Sequence, residues 1–134
     1  MKTASMFCSV AVAAALCTAA PAFGQDPSAP TRIELPAGGK TSSLKGRIHG
    51  YDGVDYVFHA DAGRKLRIEL KTRNASTYFN LLQDGKDEAL FVGSLGGSSF
   101  DAALPESGAY RIRVYLTRNA ARKNAKAEYE LVLR

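Results

Sequence analysis

The stretch Lys65-Leu-Arg-Ile-Glu-Leu-Lys71 decides the fold. Leu66, Ile68 and Leu70 alternate with Lys65, Arg67, Glu69 and Lys71. In an extended chain successive side chains point to opposite faces, so a period of two gives one buried face and one wet face. That pattern is typical of a strand in an antiparallel sheet.

The same alternation recurs on both sides of it. Asp61-Ala-Gly63 supplies a hairpin-type turn just before. Upstream lies Val54-Asp-Tyr-Val-Phe-His59, with Val54, Tyr56 and Phe58 on one face. Gly50-Tyr-Asp-Gly53 forms a turn before that, and Leu44 to His49 reads as another strand. Thr31 to Leu35 alternates as well and is stopped by Pro36-Ala-Gly-Gly39. Downstream, Tyr78 to Gln83 runs into the turn Asp84-Gly85. Leu90 to Val92 and Ser99 to Ala102 flank a Gly/Ser-rich link, Gly93 to Gly97. Pro105 to Gly108 turns the chain into Tyr110 to Leu116, where Ile112 and Val114 oppose Arg111, Arg113 and Tyr115. Glu128 to Leu133 closes the series. Short strands with turns at regular spacing predict an all-β fold, an antiparallel β-sandwich of seven to eight strands. The one interruption is Thr117 to Lys126, expected as a short helical turn or loop. Thr117 is a suitable N-cap, and a helical turn would stack Arg118 on Arg122.

The chain has 134 residues, 46% hydrophobic and 23% charged, which suits one globular domain and excludes a large multidomain enzyme. Lys2, the apolar stretch Met6 to Ala20 and the small residues around Ala22 and Gly24 read as an export leader, residues 1–24, cut after Ala22 or Gly24. Residues 25–30 form a Pro-containing lead-in, and 31–134 the sandwich. The leader implies export by a bacterium. Cys8 and Cys17 both fall in the leader, so the mature chain is expected to fold without a disulfide and without thiol chemistry. Outside the leader no apolar run is long enough to cross a membrane as a helix.

Charge is unevenly placed. Seven of the 18 Lys and Arg residues lie between Arg111 and Arg134, against only Glu128 and Glu130. An exported basic end points away from nucleic acid and toward an acidic protein surface, an anionic glycan or lipid headgroups.

Catalytic constellations are scarce. His49 and His59 are the only histidines, each at a strand end, and no nucleophile-elbow motif accompanies them. Asp84-Gly-Lys-Asp-Glu88 lacks the spacing of a calcium loop and reads as a polar turn. No catalytic residue, metal ligand or cofactor is assigned. Asn74-Ala-Ser76 fits a glycosylation sequon of no expected consequence in a bacterial exported chain. Binding chemistry stands out instead. Tyr51 sits between two glycines, outside the alternation that buries Tyr56. Tyr and Arg are the side chains that most often anchor interfaces. Arg118 and Arg122 each offer a planar fork suited to carboxylates.

These residues carry a resemblance. Thr117-Arg-Asn-Ala-Ala-Arg-Lys-Asn124 followed by Tyr129 closely resembles the end of the periplasmic inhibitors of goose-type (g-type) lysozyme. Gly50-Tyr-Asp52, Tyr56 to Phe58, Ala62-Gly-Arg-Lys65, Pro105, Ser107-Gly108 and Tyr110 resemble the same proteins. The resemblance implies a non-enzymatic β-sandwich that plugs the active-site cleft of a host g-type lysozyme. It implies contact through Tyr51, Asp52, Arg118, Asn119 and Arg122, and leaves monomer and dimer both open. Leu90-Phe-Val-Gly-Ser-Leu-Gly-Gly97 departs from the family pattern, which carries a more polar segment there, and puts the target preference in question. The competing reading is a carbohydrate- or peptidoglycan-binding module. With no Trp, its aromatic platform would have to come from Tyr51, Tyr78, Tyr115 or Phe residues.

Overall fold

A computed structural model describes residues 29–134; the leader and most of the lead-in lie outside the described residues. Nine strands form two sheets. They are β1 (Thr31–Arg32), β2 (Ser42–His49), β3 (Val54–Ala60), β4 (Lys65–Thr72), β5 (Thr77–Gln83), β6 (Ala89–Val92), β7 (Ser99–Ala103), β8 (Gly108–Leu116) and β9 (Lys126–Leu133). Two short helical turns interrupt them, α1 (Gly93–Gly96) and α2 (Arg118–Arg122). One sheet runs β1-β3-β8-β5-β6 and the other β2-β9-β4-β7. The fold is the expected all-β sandwich.

Alternation positions the core. Leu66, Ile68 and Leu70 are buried, as expected for β4. Ile112 and Val114 of β8, Phe79 and Leu81 of β5, and Leu131 and Leu133 of β9 complete the interior. Across the two sheets, the hydroxyls of Tyr56 on β3 and Tyr129 on β9 meet at 2.7 Å inside the core. Tyr129 pairs in register with Gly46 of β2, and its ring covers that glycine so closely that a Cβ there would overlap the hydroxyl. Burial, and then the bond to Tyr56, hold the Tyr129 phenol far above its ordinary pKa.

Three local expectations need correction. The strand count is nine rather than seven to eight, and one pair, β1 with β3, is parallel. The segment Thr31 to Leu35 is a strand over Thr31–Arg32 only; the Ile33 N–H makes the last ladder bond, to the Val57 carbonyl at 2.9 Å, and beyond it Leu35 packs against the core without a strand partner. The Gly93 to Gly97 link is helical at Gly93–Gly96, although glycine is a poor helix former. Tertiary packing imposes it. Gly93 lies against the Phe79 backbone and Gly96 under the Phe91 ring, both too close for a Cβ.

The antiparallel course sorts the loops between two ends. The connections after β2, β4, β6 and β8 emerge together, and those after β3, β5 and β7 emerge at the other end with Arg134. The first set contains the Tyr51 turn, the Arg73 to Ser76 loop, α1 and α2.

Candidate functional site

The β2–β3 turn and α2 are joined directly. The Gly50 N–H donates to the Ala125 carbonyl at 2.9 Å, extending the β2–β9 pairing past His49 and Lys126. Gly50 has φ 60, and its Cα faces the Asn124 side chain and the Ala121 carbonyl. Glycine is needed here because the turn crosses the left-handed region while pressed on a neighbouring backbone. Asp52 closes the turn through its N–H to the His49 carbonyl at 3.0 Å. The Tyr51 ring is thereby left 72% exposed, which no packing requirement of the turn explains.

Local sequence also builds α2. The Thr117 hydroxyl accepts from the Ala120 N–H, the expected N-cap. At the other end Asn124 has φ 53, the Ala125 N–H reaches the Ala120 carbonyl at 3.1 Å, and the Asn124 N–H reaches that of Ala121 at 3.0 Å. This is a Schellman cap with asparagine at the left-handed position. Ala121 is buried under the turn. Arg118 and Arg122, four residues apart, therefore project from one exposed face, with Asn119 exposed beside them.

The structure brings Tyr51, Asp52, Arg118, Asn119 and Arg122 to one end of the sandwich. Among the described residues, neither arginine of α2 takes part in an ion pair. Not every cation of the basic C-terminal part belongs here. Arg113 makes a two-pronged contact with Asp55, at 2.7 and 2.9 Å, and Arg111 lies 3.6 Å from the same carboxylate. That contact raises the Arg113 pKa and spends both guanidinium groups on the outer face of the β3–β8 pair. Arg47 pairs with Glu128 at 3.0 Å. Glu130 is held below the ordinary carboxylate range, first by the Ser43 hydroxyl and then by Lys45 and Lys71. The cations outside ion pairs at the Tyr51 end are Arg73, Arg118, Arg122, Lys123 and Lys126, with Asp52 the only acid in the loops there.

Beside Tyr51 runs an open groove of about 850 Å³, with Ile48, Val54 and Ala127 along it and His49, Asp52 and Lys126 at its rim. His49 and His59 are exposed strand residues, and no cluster of three metal-ligating side chains occurs among the described residues. Tyr78 and Tyr115 lie 6.4 Å apart and tilted by 40°, half-buried, with the Tyr115 hydroxyl donating to Asn80. Two features escaped the sequence reading. Asn124 caps α2 and touches the Tyr51 turn; an asparagine just past a short helical pattern is the signal that could have found it. Tyr129, part of the resembling string, lies in the core rather than on the surface.

Comparison with known proteins identifies the family. No family model matches the chain. A relative from Escherichia coli (strain K12), named inhibitor of g-type lysozyme, is 33% identical over 102 residues, covering 74% of this chain and 75% of its own length. The crystal structure of a periplasmic inhibitor of g-type lysozyme from Aeromonas hydrophila superposes with a TM-score of 0.64 at 28% identity, over 78% of this chain and 97% of its own. The pre-peptidase C-terminal domain of a Bacillus anthracis collagenase shares the fold, with a TM-score of 0.61 at 19% identity, over 83% of this chain and all of its own. Among described residues no helix is long and apolar enough to cross a membrane. On the E. coli relative's identity and coverage, the chain belongs to the family of periplasmic inhibitors of g-type lysozyme.

Proposed function

We propose that this protein acts in the periplasm as a non-catalytic inhibitor of g-type lysozyme, with residues 1–24 removed as a leader, 25–30 as a lead-in and 31–134 as the inhibitor domain. Its binding end would enter the glycan cleft of the enzyme. Glycoside hydrolysis generally relies on carboxylates flanking the scissile bond. Arg118 and Arg122 would engage such carboxylates by charge-assisted, two-pronged hydrogen bonds. Tyr51 would supply rigid aromatic contact area, and Asp52 and Asn119 polar contacts around it. The observation that carries this reading is the Gly50 to Ala125 hydrogen bond, which fixes the Tyr51 turn against α2 as a single surface.

The test is a titration of the mature domain against g-type and c-type lysozymes in a cell-wall lysis assay. Loss of g-type activity near stoichiometry is expected. Arg122→Ala should weaken inhibition by a factor corresponding to about 2–5 kcal/mol, the usual cost of removing one partner of a buried charge pair. Unchanged inhibition by that variant would refute the site. Binding of the wild type to insoluble cell wall, with no inhibition, would favour a glycan-binding module instead.

A further inference from the structure

Three large hydrophobic side chains are exposed among the described residues, Tyr51, Leu90 and Leu95. Leu95, in α1, is the most exposed of them at 88%. A single exposed leucine is ordinary on a protein surface. This one is unusual in how it is held and where it stands.

The α1 turn is locked from below. The Asn80 carboxamide oxygen accepts from the Gly93 N–H at 3.2 Å and from the Tyr115 hydroxyl at 3.0 Å. Gly93 and Gly96 seat the turn against Phe79 and Phe91, where no side chain would fit. The Gly97 N–H closes the turn on the Gly93 carbonyl at 2.9 Å. Leu95 therefore stands on a fixed support, and Gly96, Gly97 and Ser98 beside it leave it uncovered. Nothing in the fold uses its side chain.

Register gives its place. Val54, Val114 and Phe79 form one row across β3, β8 and β5, and Gly93 abuts Phe79 at the end of that row. The chain thus leaves the sheet into α1 at the level where it enters from the Tyr51 turn. Three strand spacings separate them, about 15 Å at about 4.8 Å each. A partner's share of a standard interface is about 800 Å², a patch about 30 Å across, so one footprint spans Tyr51, α2 and Leu95. The two most exposed hydrophobic side chains flank the arginines. An apolar margin beside a charged centre fits a cleft lined by apolar side chains with a few polar groups, as ligand clefts are.

We infer that Leu95 is a contact residue of the inhibitory surface, packed against an apolar part of the lysozyme at the margin of its cleft. This rests on the function proposed above. Occupant and surface are the same pair of proteins, and only the extent of the footprint is new. A preorganised apolar contact acts mainly on the dissociation rate.

The experiment measures Kd and dissociation rate for a g-type lysozyme binding the wild type, Leu95→Ser, Leu95→Asp, Leu90→Ser and Arg122→Ala. Burying a leucine side chain corresponds to about tenfold to hundredfold in Kd. Leu95→Ser should weaken binding about tenfold through faster dissociation, and Leu95→Asp further. Leu90→Ser, on the edge strand β6, should leave Kd unchanged. Thermal melts of both Leu95 variants should match the wild type, because the side chain is outside the core. If Arg122→Ala weakens binding and both Leu95 variants stay within twofold of the wild type, this inference fails and the proposed function stands. If the wild type does not bind, both fail together.

Discussion

Removing the hydroxyl of Tyr129 should cost more than removing it together with that of Tyr56. The two oxygens lie 2.7 Å apart in the core, and Tyr56 and Tyr129 are 6% and 4% exposed. In Tyr129→Phe the Tyr56 hydroxyl stays buried without its partner. Leaving a buried polar group unsatisfied costs about 1–3 kcal/mol, whereas replacing both partners by apolar groups of the same shape is nearly neutral. For a domain of this size, 1 kcal/mol shifts Tm by about 4–8 °C. Each single variant should therefore melt about 4–24 °C below the wild type. The double variant, Tyr56→Phe with Tyr129→Phe, should recover at least half of the summed loss. Urea unfolding followed by circular dichroism gives the coupling energy from the four proteins, since the chain has no Trp to report. Additive losses would refute the reasoning, because the hydroxyls would then act independently. Inhibition measured well below Tm should be the same for all four. The pair follows the Tyr51 turn by five residues and α2 by seven, so it supports the binding end without touching a partner.

The remaining predictions concern the same elements. The Tyr129 phenol ionises in the unfolded chain near its ordinary pKa of 10.0 but resists ionisation when folded, so the unfolded state loses protons first. Its contribution to stability is complete below pH 10 and should decline as pH rises beyond it; a urea midpoint that is flat from pH 9 to 11 in the wild type would contradict this. Gly46→Ala should destabilise by about 1–3 kcal/mol through overlap with the Tyr129 ring, with partial rescue by Tyr129→Leu, both read from urea midpoints. Asn124→Ala should lose about 1 kcal/mol, because alanine is disfavoured at φ 53, whereas Asn124→Gly should hold the wild-type Tm. Equal Tm values for those two variants would argue against the left-handed cap.

Most of the fold was legible in alternation. Leu66, Ile68 and Leu70 announced β4, and Ile112 and Val114 announced β8, because burial on one face leaves a period of two. The alternation through Ile33 and Leu35 outlasted the ladder, which ends at the Ile33 N–H, since irregular chain can also lay every second side chain on a core. The α1 turn was illegible because its glycines are chosen for closeness to Phe79 and Phe91, contacts distant in sequence. Of the site, the residue types were readable: Tyr51 off the alternation, Arg118 and Arg122 at helical spacing. Their assembly was not. It depends on β2 pairing with β9, a long-range register that brings Gly50 to Ala125. The basic C-terminal part misled in one respect, because Asp55 holds Arg111 and Arg113 on the outer face of the β3–β8 pair, outside the loops of the Tyr51 end.

The pairing of Thr31 with Tyr56 means that the chain enters the sandwich near the end that carries Tyr51, whereas β9 carries Arg134 to the far end. The two termini are therefore not equivalent attachment points. A purification tag or sensor-chip linkage placed after Arg134 holds the molecule with its arginines facing solution. The same group placed just ahead of Thr31 crowds the surface being measured, and a binding study built on it would understate the affinity.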